Sequence, residues 1–89
     1  MKEIYLVIKT VIGEQDTYAF EKYEDAVAFL DTVVEEQEKE NEELRKLGNG
    51  YLNYVMNIIR CTDRYHENHL GWIDVGGVYS YDLHKVILR

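Results

Sequence analysis

The sequence predicts an α+β fold: a four- to five-stranded, mainly antiparallel sheet with one long amphipathic helix packed on one face. Three observations carry this expectation. The first dozen residues alternate in the manner of a strand, a central stretch of about 25 residues repeats its apolar positions with helical spacing, and the closing third returns to β-branched and aromatic runs broken by Gly76-Gly77. With 89 residues the chain is expected to be a single domain, 1–89, because domains usually hold roughly 100–150 residues. A compact chain of this length has a radius of gyration of about 12 Å.

Residues 3–12 read as the first strand. Ile4, Leu6 and Ile8 fall on one face and Tyr5, Val7 and Val11 on the other, so both faces look apolar. Gly13-Glu14-Gln15-Asp16 reads as a hairpin turn, and 17–21 as a second strand with Tyr18 and Phe20 on one face. The helix is expected over 23–47. Tyr23, Ala26, Val27, Leu30, Val33 and Val34 recur on one side, Glu24 and Asp25 lie in the first turn, and Arg45 and Lys46 lie in the last, the polarity that the helix dipole favours. Gly48-Asn49-Gly50 should stop it, with a glycine at the left-handed position after the cap.

From Glu35 to Glu43 that helix has no apolar side chain. Twenty-five helical residues span about 38 Å, so the acidic half is expected to overhang the core or lie on its edge, solvated. Residues 51–60 fit a strand, with Leu52, Tyr54, Met56 and Ile58 on one face, or a helix; the tyrosines and β-branched residues favour the strand. Residues 61–69 read as a polar loop. The closing strands are expected at 70–81 and 84–89, with Gly76-Gly77 a bulge or tight turn and 81–84 the last turn.

Composition narrows the classes of function. The formal charge of −7 is concentrated in residues 14–43, which hold twelve acids against Lys22 and Lys39. Phosphates repel such a chain, so direct nucleic-acid binding and association with anionic membrane are not expected. The longest N-terminal apolar run, Ile4 to Ile8, falls short of the roughly 7–15 residues of a secretory core and the roughly 20 of a membrane helix. One cysteine, Cys61, makes no internal disulfide. A cytoplasmic location is the expectation.

Catalytic motifs are lacking. Cys61 has no fixed histidine partner, Ser80 has no nucleophile-elbow context, and Gly48-Asn49-Gly50 is not followed by the Lys-Ser/Thr of a phosphate loop. The chain is therefore expected not to be an enzyme and to need no cofactor. Cys61, Asp63, His66 and His69 are metal-ligand types gathered in one loop, and a metal- or small-ligand-binding domain using 61–69 is the alternative reading. Their spacing matches no strong zinc template, and an exposed polar loop is the favoured reading of them.

The leading expectation is a protein-interaction module. Eight tyrosines and one tryptophan are side chains enriched at interface centres. One helix covers only one face of a sheet, so Tyr5, Tyr18, Trp72, Tyr79 and Tyr81 are candidates for an aromatic sheet face buried by self-association or by a partner. Glu35, Glu36, Glu38, Glu40, Glu42 and Glu43 form the second candidate surface, complementary to a basic protein. Each has a plainer reading, as the rim of a small core and as a solubilising helix face.

A short strand, a turn, and Tyr18-Ala19-Phe20-Glu21-Lys22-Tyr23-Glu24-Asp25-Ala26 opening a long helix resemble the layout of small phage and bacterial proteins over residues 1–34. The resemblance is a pattern of polarity that names no family and carries over no functional residue. It implies a mobile-element accessory protein, a class that includes acidic inhibitors of host nucleases.

Overall fold

The computed structural model describes residues 2–61 and 68–89. It is an α+β fold of five strands and one long helix: β1 (Lys2–Val11), β2 (Glu14–Phe20), α1 (Tyr23–Lys46), a 3-10 segment (Asn49–Tyr54), β3 (Ile58–Cys61), β4 (His69–Val75) and β5 (Tyr79–Leu88). The strands form one antiparallel sheet in the order β2-β1-β5-β4-β3. The final strand is thus central, and its ten-residue ladder with β1, from Lys2 opposite Leu88 to Val11 opposite Tyr79, ties the two ends of the chain together.

Two hairpins set the register. Val11 pairs with Glu14, leaving Ile12-Gly13 as the turn, with Gly13 at φ 76. The expected turn at 13–16 is therefore shorter, and Glu14, Gln15 and Asp16 belong to β2. Between β4 and β5, Val78 N–H donates to Val75 C=O at 3.0 Å across Gly76 (φ 58) and Gly77 (φ 69). Two successive positive φ values are what a type I′ turn requires, and glycine adopts them without a Cβ clash. The turn expected at 81–84 is instead the middle of β5.

The helix boundaries agree with the sequence reading to one residue at the C-terminal end. Gly48 follows the cap with φ 104 and ψ −177, a glycine-tolerated conformation other than the left-handed helical one expected. Residues 51–60, a choice between strand and helix, divide: 3-10 turns to Tyr54, an extended link through Val55–Asn57, then β3.

Ala26, Leu30, Val7, Leu70, Ile73, Val75, Tyr81 and Leu83 are the buried core, all between the helix and one face of the sheet. Full burial of a Val, Leu or Ile side chain is worth about 1.5–3 kcal/mol. Phe29 extends this layer, with its ring centroid 4.7 Å from Tyr18, 5.6 Å from Phe20 and 6.4 Å from Tyr81.

The second half of the helix is not simply solvated. Gln37 and Asn41, inside the supposedly charged run, are buried. Tyr79 Oη donates to Gln37 Oε1 at 2.6 Å, and Gln37 Nε2 donates to Asn41 Oδ1 at 3.1 Å. Asn41 Nδ2 donates to Met56 C=O at 2.7 Å, while Asn41 Oδ1 accepts from Met56 N–H at 3.0 Å. The carboxamide thus pairs with both polar groups of Met56 as a neighbouring strand would, satisfying backbone groups whose loss would be costly. This relay clamps the helix to the chain beyond the 3-10 segment. The molecule is accordingly elongated, with extents of 53 × 26 × 21 Å and a radius of gyration of 14.9 Å rather than a compact chain's.

Candidate functional site: the open face of the sheet

Side chains alternate along a strand, so a sheet capped by one helix leaves half its side chains on the other side. In β1 the helix-facing set is Tyr5, Val7, Lys9 and Val11; Ile4, Leu6, Ile8 and Thr10 point away. The register carries this division across the sheet. Leu6 lies beside Ala19 and His84, Ile8 beside Thr17 and Asp82, Ile4 beside Val86, and Lys2 beside Leu88. Farther along, Asp82 neighbours Trp72, which neighbours Cys61, and Ile59 lies opposite Asp74.

The result is an open face rich in aliphatic groups. Val7, on the helix side, has no exposure, whereas Ile59 is 49% and Leu88 43% exposed, and Ile4, Leu6, Ile8, Trp72 and Val86 are half-buried. Among the described residues, no helix or strand lies over this face.

The five aromatic candidates do not share a surface. Tyr5 packs edge-on to Tyr23 with centroids 5.7 Å apart, Tyr18 meets Phe29, Tyr79 bonds to Gln37, and Tyr81 is buried. These four lie on the helix-covered side, because they occupy the same alternating positions as Val7 and Leu83. Trp72 alone of the five is on the open face. The apolar surface left without a helix is mainly aliphatic, and the signal for it was the Ile4-x-Leu6-x-Ile8 row.

A polar cluster lies at the centre of that face. Asp82 and His84, two apart on β5, point the same way. His69 of β4 reaches them through a bulge. The pairing runs Gly71 with Leu83 but His69 with His84, so one extra residue is accommodated at Leu70. The shift turns Leu70 into the core, 6% exposed, and turns His69 to the open side. The His69 and His84 rings stack at 4.6 Å with planes 10° apart, and His69 Nε2 lies 3.0 Å from Asp82 Oδ1.

Of the metal-ligand candidates read from the sequence, Asp63 and His66 lie outside the described residues. Cys61 is on β3, with Trp72 between it and Asp82. His69 is brought instead to Asp82 and His84. The sequence reading put Asp82 and His84 in a turn at 81–84 and did not single them out; their place on one face of β5 comes from the strand.

The acidic candidates Glu35, Glu36, Glu38, Glu40, Glu42 and Glu43 are all exposed. Glu42 pairs with Lys46 at 3.4 Å, one turn along. Glu40 also borders a cleft with Lys9, Tyr79 and Tyr81. Lys9 Nζ lies 5.5 and 5.7 Å from the Tyr79 and Tyr81 ring centroids. Tyr81, by its charge when ionised, is the main influence raising the Lys9 pKa above 10.5, with burial opposing it. Burial, followed by Tyr81 and Glu40, raises the Tyr79 pKa above 10.0. A second apolar region, a groove lined by Leu44, Tyr51, Tyr54, Met56 and Val78, opens between the helix end and the β4–β5 turn.

The described residues include no helix long and apolar enough to cross a membrane. In comparisons with known proteins, no family model, no curated protein and no solved structure matches the chain.

Proposed function

We propose that this chain is a non-catalytic protein-interaction module that self-associates through the open face of its sheet. The observation that carries the reading is the aliphatic surface formed by Ile4, Leu6, Ile8, Val86 and Leu88 with Trp72, on the side away from the helix. Contiguous apolar surface of this kind marks interaction sites. Five strands about 4.8 Å apart and up to about 33 Å long give a face of roughly 600 Å² or more, close to the roughly 800 Å² per partner of a standard interface. A second copy is the favoured occupant, since a two-fold axis lying in the interface, parallel to the sheet, would bring this face of one copy against the same face of the other.

Sedimentation equilibrium tests this reading. The wild type should dimerise at micromolar concentration, and Ile8→Lys should be a folded monomer. A wild type that stays monomeric, or an Ile8→Lys variant that dimerises equally well, contradicts it.

The exposed carboxylates of α1 favour a second surface, for a basic protein partner. Its attraction would be electrostatic and would weaken with salt. Reversing Glu36, Glu40 and Glu43 to lysine should abolish low-salt capture of basic proteins such as histones or polylysine. Unchanged capture by that variant ends this part of the reading.

A further inference from the structure

The geometry points to a divalent transition-metal site, with zinc the best chemical match, formed by His69, Asp82 and His84. Two imidazoles and a carboxylate are a borderline-soft donor set that suits Zn2+ and its neighbours. Their candidate donor atoms all lie within 4.8 Å of one another. Tetrahedral zinc with bonds of about 2.0–2.1 Å holds its donors roughly 3.4 Å apart. The 3.0 Å separation of His69 Nε2 and Asp82 Oδ1 is already close to that value, and a modest rotation of the His84 ring closes the rest, since its outer torsion has a broad minimum.

The scaffold supports the chelate. Asp82 and His84 share one face of the central strand, and the bulge between His69 and Gly71 turns the third donor onto that face. Strict alternation back from Gly71 would put Leu70 on the open face and His69 beneath the helix; the extra residue reverses both. Leu6, Ile8 and Trp72 flank the cluster on the adjoining strands. Their low-polarity surroundings strengthen the attraction between a cation and its ligands. Among the described residues three donors converge, which leaves a fourth position of a tetrahedral ion to be filled. The inference does not depend on self-association.

Tag-free full-length protein, freed of metal by a chelator, should be titrated with Zn2+ and with Co2+ as its spectroscopic stand-in. The expected result is one ion per chain, tetrahedral cobalt absorption, and zinc-dependent shifts of the His69 and His84 ring resonances. His84→Gln and Asp82→Asn should each lower affinity by about tenfold or more, while Cys61→Ser binds as the wild type does. Affinity should fall in acid, because a protonated imidazole cannot ligate. Ring shifts absent from the wild type, or equal loss in Cys61→Ser, would overturn the assignment. So would full affinity in His84→Gln and Asp82→Asn. The ring resonances report on unaltered protein, so the test stands even where a variant folds poorly.

Discussion

The two faces of the sheet are built from the same strands and have different fates. On the helix side, Val7, Ile73 and Val75 are fully buried, and Tyr81 and Leu83 nearly so. On the other side, one residue along each strand, Leu6, Ile8, Trp72 and Asp82 face away from the helix and are only partly buried. Strand periodicity makes both surfaces; a single helix distinguishes them. Apolar character therefore reports stability on the helix side, and on the other side it is the basis of the proposed association.

Substitutions can break or sharpen this contrast. The largest effect is expected from Ile73→Ala beneath the helix, a loss of about 2–5 kcal/mol because the cavity has no room to collapse, measured by denaturant unfolding. Asn41→Ala should cost about 1–3 kcal/mol by leaving both polar groups of Met56 without their partner. If Asn41→Ala proves neutral, the clamp between the helix and Met56 is unimportant. Gly76→Ala should lose about 1–2 kcal/mol, since an added Cβ combines a positive φ with a 3.1 Å approach to the Met56 side chain. Ile8→Thr on the open face should change the stability of the monomer least, by under about 1 kcal/mol, while weakening dimerisation. A large monomer loss there would mean that the open face is packed after all.

Tyr79 adds a pH-dependent term. Burial raises its folded pKa above 10.0, so the contribution is intact below the unfolded value and declines as pH rises through the folded one. Ionisation also removes the proton that Tyr79 donates to Gln37. Alkaline titration above pH 10 should therefore unfold the wild type earlier than Tyr79→Phe, relative to each protein's stability at neutral pH. Parallel curves would remove Tyr79 as the cause.

The fold was legible wherever a local period governed it. The 2-residue alternation of β1, the helical spacing from Tyr23 to Val34, and the glycine turns all point to the observed elements. Residues 49–61 were harder because their apolar positions satisfy both periods, and the relay to Asn41 decides the path of Met56. That relay was hidden inside a charged run, where Gln37 and Asn41 read as solvated. The candidate surface was half legible. Two apolar faces of β1 were apparent, but aromatic abundance drew attention to Tyr5, Tyr18, Tyr79 and Tyr81, which the helix covers. The His69–Asp82–His84 grouping depends on strand order and a bulge, neither of which local sequence specifies.

The most direct measurement is a mixed-label NMR experiment, with one population of chains carrying labelled methyl groups and the other unlabelled. Intermolecular contacts should arise from the methyls of Ile4, Leu6, Ile8 and Val86. Contacts confined to the helix or to the Tyr51–Tyr54 groove, or none under conditions where sedimentation shows a dimer, would contradict the account.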